Sequence, residues 1–120
     1  MIVISFEVIF ILYTADEERQ SLILKPAAYV TRSERTNVTL LCEAMVGVFK
    51  DMPSWFFRGR VIDKNEAKPM FVRELINETW ISKLHIQNAQ PGDSGEYVCK
   101  AETIHGNSTQ RSIQLTVRGK

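Results

Sequence analysis

Two thiols, two imidazoles and a scatter of carboxylates are what these 120 residues offer to chemistry. Cys42 and Cys99 stand far apart in the chain, and no third cysteine accompanies them. A zinc site needs four close ligands, so this spacing does not suit one. One long-range disulfide is the simpler reading, and it implies an oxidising compartment. Closing a loop of that length stabilises a fold by about 4 kcal/mol in chain-entropy terms. The imidazoles, His85 and His105, lack sequence partners at a spacing that makes a nucleophile–base pair or a metal cluster. No glycine-rich phosphate loop or acidic calcium loop is present, and Asp93 and Glu96 suit capping better than acid/base work. The expectation is a protein without catalytic residues, metal or cofactor.

The elements that must position these residues are strands. In "NVTLLCEA", Val38, Leu40, Cys42 and Ala44 share one face, while Asn37, Thr39, Leu41 and Glu43 take the other. In "TWISKLHIQ", Trp80, Ser82, Leu84 and Ile86 oppose Ile81, Lys83, His85 and Gln87. "EYVCKAE" puts Tyr97, Cys99 and Ala101 inward, with Val98 and Lys100 outward, and "SIQLTV" turns Ile113, Leu115 and Val117 inward. His105-Gly106-Asn107 reads as a hairpin turn between the last two. "PSWFFRGRVI" reads as a strand pair bent at Arg58-Gly59; "PMFVREL" and "LILKPAAYVT" are weaker strand patterns. Short strands with turn signals about every ten residues indicate a sandwich or barrel.

Length allows one domain with a modest core. Fifteen Lys and Arg against 14 Asp and Glu leave no electrostatic case for nucleic acid or an anionic membrane. Residues 1–15, "MIVISFEVIFILYTA", are almost continuously apolar but too short to span a bilayer as a helix. They read as a secretory signal peptide or an N-terminal extension, with the ragged start of a longer protein's fragment as a further reading. Glu7 and the missing basic start fit a signal peptide imperfectly. Residues 16–20 read as a linker and 21–118 as the folded domain. No transmembrane or lipidation motif marks the end at Arg118-Gly119-Lys120.

Cys42, then Trp55 thirteen residues on, then Leu84-x-Ile86, then Asp93-x-Gly95-x-Tyr97-x-Cys99: this pattern resembles the immunoglobulin superfamily. The resemblance covers about Ser21 to Arg118 and implies an all-β, Greek-key immunoglobulin-like sandwich. It implies that Cys42 and Cys99 join the facing sheets, that Trp55 packs on the disulfide, and that the Tyr97 hydroxyl fastens the corner before its strand. Pro91-Gly92 forms the turn there, with Asp93 near its base and Arg73 as a candidate partner for Asp93. The short interval from Arg58 to Thr79 and the kink at Pro26 are similar to the intermediate, or I-set, type. "KPMFVRELINETWISKLHI" followed by "SGEYVCKAE" loosely resembles the first immunoglobulin domain of neural cell adhesion molecules of the NCAM and fasciclin II kind. That family implies cell-surface adhesion.

Three sequons, Asn37-Val38-Thr39, Asn77-Glu78-Thr79 and Asn107-Ser108-Thr109, begin at three of the five asparagines. All three sites are expected in solvent, as N-glycosylation demands. The segment "MVGVFKDMP" is unusually apolar for a loop, so Phe49 and Met52 join Phe56, Val98 and Lys100 as candidate partner contacts. In the other reading Phe49 or Val48 folds back to plug the open end of the sandwich. The leading functional expectation is an extracellular or cell-surface recognition module that binds protein, either another receptor or the same protein on another cell. It involves no nucleic acid and no membrane insertion by the domain. The alternatives are a secreted ligand or decoy that modulates a receptor, and a structural I-set domain of a muscle filament protein.

Overall fold

Alternation decides which side of each strand goes inside. In a computed structural model, residues 22–63 and 68–119 are described, and they form nine strands and one 3₁₀ turn. The apolar segment 1–15 and the linker 16–20 lie outside the described residues. The strands are β1 Ile23–Lys25, β2 Tyr29–Ser33, β3 Val38–Met45, β4 Ser54–Phe57 and β5 Arg60–Val61, followed by β6 Met70–Ile76, β7 Thr79–Ile86, β8 Gly95–Glu102 and β9 Ser108–Arg118. They assemble into a four-stranded sheet, β1-β3-β7-β6, and a five-stranded sheet, β2-β9-β8-β4-β5. This is the expected immunoglobulin-like sandwich. The N-terminal strand switches sheets at Pro26: β1 pairs antiparallel with β3, and β2 runs parallel with β9. Proline has no N–H for a ladder, so the break falls where the chain leaves one sheet for the other.

The inner faces form one core. Val38, Leu40, Cys42 and Ala44 from β3 meet Leu84 and Ile86 from β7, and Tyr97 and Cys99 from β8 meet Ile113, Leu115 and Val117 from β9. Cys42 and Cys99 form a disulfide between the sheets, closing a sequence separation of 57 residues. Trp55 is fully buried as the register partner of Cys99. Its indole N–H donates to the Ser82 carbonyl at 3.4 Å, and Ser82 is the register partner of Cys42. The indole therefore spans the sandwich beside the disulfide. The Ser82 hydroxyl, buried among these groups, is the buried side-chain polar atom without a hydrogen-bond partner among the described residues.

The corner before β8 is fastened by several bonds at once. The Tyr97 hydroxyl donates to the Asp93 carbonyl at 2.7 Å, and the Asp93 carboxylate accepts the Gln90 backbone N–H at 2.8 Å. Burial pushes the Tyr97 phenol well above its ordinary pKa; Asp93 adds to this, and Arg58 opposes it. The basic partner of Asp93 is Lys68, at 3.2 Å, not Arg73. Arg73, the register partner of Ser82 in the middle of edge strand β6, is exposed, and its guanidinium lies over the Phe71 ring. Phe57 stacks on Tyr97 with ring centroids 4.3 Å apart. Gly95 passes under that stack at φ +148°, where an added Cβ would lie 2.8 Å from the Phe57 ring. No larger residue fits there unstrained.

Candidate protein-docking face

The outward side chains of the five-stranded sheet line up in rows across the strands, because directly paired residues point the same way. Val61 on β5 faces Phe56 on β4, Phe56 faces Val98 on β8, and Val98 faces Ser112 on β9. The first three make an apolar row across the middle of the face. Val61 is 49% exposed, and Phe56 and Val98 are half-buried. One row toward the loop end stand Ser54, Lys100 and Gln110. One row the other way, Glu96 pairs with Gln114, and Gln114 pairs with Tyr29 of β2, whose ring is 82% exposed. Thus Lys100 and Glu96 flank Val98 on its own strand, one on each side.

The Lys100 ammonium lies over the Phe56 ring at 4.5 Å from its centroid, a cation–π contact that leaves the charge in solvent. Glu96 accepts the Ser112 hydroxyl at 3.2 Å. Neither residue enters an ion pair among the described residues. The ridge made by Phe56 and Lys100 separates two open hollows. One, of about 590 Å³, is lined by Met52, Ser54, Glu102 and Gln110; the other, of about 440 Å³, by Arg58, Gly59, Glu96 and Val98. The β4–β5 hairpin that shapes the second turns on Arg58 and Gly59, both at positive φ. A tight two-residue hairpin requires that backbone. The arrangement suits a partner protein's side chains: an apolar centre, charged rims and shallow relief.

The structure brings Phe56, Val98 and Lys100 together as the alternation predicts, and Met52 joins them on the rim of the larger hollow. Phe49 does not belong to this set. It is 1% exposed and bridges to Val46 and Thr103, closing the end of the sandwich from within. Its loop is drawn in by backbone bonds from Val46 to Glu78 and from Ile104 to Val48, so burying the ring leaves little of the local backbone without partners. Val61, Glu96 and Tyr29 escaped the sequence reading. Glu96 follows from the same β8 alternation as Val98 and Lys100, Val61 from the register of the β4–β5 hairpin, and Tyr29 from its pairing through β9.

The sequon asparagines are all exposed. Asn37 immediately precedes β3, and its side-chain oxygen accepts the Asn88 backbone N–H at 3.0 Å. Asn77 occupies the two-residue β6–β7 turn at φ +50°, and Asn107 lies in the β8–β9 turn. None stands on the rows of the five-stranded face. His85 shares a 2.9 Å hydrogen bond with the hydroxyl of Thr39, its register partner within the four-stranded sheet, and His105 lies in the exposed β8–β9 turn. No group of three metal-ligating side chains occurs among the described residues.

A family model described as Immunoglobulin domain matches residues 28–112. The chain belongs to the immunoglobulin superfamily. Its relatives include human Contactin-1, 37% identical over 84 residues that make up 69% of this chain and 8% of that protein. They also include Drosophila melanogaster Titin, 36% identical over 69 residues, 55% of this chain and 0% of Titin to the nearest per cent. The chain thus spans less than a tenth of the length of these curated relatives. Among solved structures, Dpr2 Ig1-Ig2 in complex with DIP-Theta Ig1-Ig3 aligns over 83% of this chain and 50% of the matched one, with a TM-score of 0.59 at 19% identity. That likeness shows a shared fold.

Proposed function

We propose that this chain is an extracellular immunoglobulin recognition module that binds a protein at the outer face of its five-stranded sheet and serves in cell adhesion. The observation that carries the reading is the contiguous Val61–Phe56–Val98 row with its charged rim, on a face that bears no sequon asparagine. The inter-sheet disulfide supports export through an oxidising compartment. The similarity to Contactin-1, and the Dpr2 relative solved bound to another immunoglobulin protein, support protein recognition. Immunoglobulin domains as a rule bind and do not catalyse, so no enzymatic role is proposed. The similarity to Titin favours, as a second reading, a structural domain of a muscle filament. Such a domain would carry reduced cysteines and bare sequons.

Expression of the full chain in secreting eukaryotic cells separates the two. The adhesion reading expects exported protein with an intact disulfide and a mass that falls on glycosidase treatment. It also expects binding to at least one member of a panel of purified cell-surface immunoglobulin ectodomains, this chain included. Retention in the cytosol with free thiols would support the filament reading instead.

A further inference from the structure

We infer that the partner of this face is a second copy of the same chain, docked face to face about a two-fold axis lying along the Val61–Phe56–Val98 row. The inference rests on the docking reading above and names its occupant. The argument is geometric. A two-fold axis in the plane of contact, laid across the strands along that row, brings each residue on one side opposite the residue equally far on the other side in the partner copy. Phe56 then meets Phe56 and Val98 meets Val98, so the apolar centre buries against itself. Lys100 and Glu96 lie two residues to either side of Val98 on β8 and both point outward. The axis therefore places Lys100 of each copy opposite Glu96 of the other, and the contact occurs twice. In the same way Gln110 meets Gln114.

A patch of random charge does not match itself under this operation. Here the cation and the anion sit symmetrically about the apolar centre, and neither is committed to an ion pair within the chain among the described residues. Such opposed charges set register and exclude wrong orientations. The other sheet offers no comparable device, because its outward cations Lys25 and Lys83 are already paired with Glu43 and Glu74 at 2.8 Å. The sequon asparagines Asn37 and Asn77 lie at the ends of the other sheet, and Asn107 lies in the β8–β9 turn at one end of this face, off the Val61–Phe56–Val98 row.

The test uses charge reversal in the full secreted chain, with mass measured by sedimentation and folding checked by circular dichroism. Wild type is expected to show a concentration-dependent dimer. Lys100→Glu alone places four acids in the contact, and Glu96→Lys alone places four cations; each is expected to weaken dimerisation at least about tenfold. An equimolar mixture of the two variants restores both opposed pairs and is expected to dimerise as heterodimers. The double variant K100E/E96K is likewise expected to dimerise with itself. A wild type that stays monomeric to millimolar concentration overturns the inference, as does dimerisation indifferent to the reversals or a mixture that fails to rescue. If the monomeric chain still captures a different ectodomain from the panel, and Phe56→Asp abolishes that capture, the second-copy inference falls while the docking face stands. If neither self-association nor panel binding occurs, both fall.

Discussion

The outer faces of the two sheets carry similar raw material and put it to different use. The four-stranded face has more apolar side chains, among them Ile23, Leu41, Met45, Val72, Ile76 and Ile81. They alternate with charge: Lys25 bridges Glu43, and Lys83 bridges Glu74, so the long stems lie along the sheet and the charges are met within it. Two sequon asparagines lie at the ends of this sheet, Asn37 just before β3 and Asn77 in the turn between β6 and β7, and the third, Asn107, in the β8–β9 turn of the other. The five-stranded face has fewer apolar residues, but they are contiguous, and its cation and anion are uncommitted. The two faces therefore differ in arrangement more than in apolar area. The features that distinguish the five-stranded face are contiguity and unpaired rim charge.

Both faces stand on one core, so the largest effect is expected to abolish the contrast altogether. Replacing Cys42 and Cys99 by alanine together removes the staple between the sheets and should cost about 4 kcal/mol, read by denaturant unfolding. Gly95→Ala is expected to act on the five-stranded sheet alone. It drives a Cβ against the Phe57 ring beside the docking strand and should cost about 1–3 kcal/mol in the same assay. Tyr97→Phe removes the corner bond to Asp93 and should cost about 1 kcal/mol. Because the fold holds the phenol neutral above its usual pKa near 10, only the unfolded chain releases that proton as pH rises past it. Stability should fall through that window in wild type and fall less in Tyr97→Phe, which alkaline denaturation series would read. Smallest of all, Ser82→Ala deletes an unpartnered buried hydroxyl and should be neutral or stabilising by up to about 1 kcal/mol.

Much of the fold was legible because its signals are local. The two-residue alternation in "NVTLLCEA" reports the buried side of β3 directly, and Asp93, Gly95, Tyr97 and Cys99 each mark a position whose geometry tolerates few alternatives. The partner of Asp93 was not legible: Arg73 sits exposed in the middle of β6 with its guanidinium over Phe71, and Lys68, just ahead of that strand, meets Asp93 instead. Phe49 shows a second limit. An apolar run in a loop reads equally as a contact or as a plug, and only the backbone bonds among the β3–β4, β6–β7 and β8–β9 loops decide for the plug. The candidate site was half visible: Phe56, Val98, Lys100 and Glu96 follow from alternation, though Glu96 was first read as part of the corner, while Val61 and Tyr29 join them through cross-strand pairings that no single strand encodes.

The most direct test places one charge at the centre of each face and measures binding to the ectodomain panel, with this chain among its members. Phe56→Asp should abolish binding while leaving the melting curve close to wild type, and Ile81→Asp, in the middle of the other face, should leave binding intact. Binding that survives Phe56→Asp and disappears with Ile81→Asp would contradict the account.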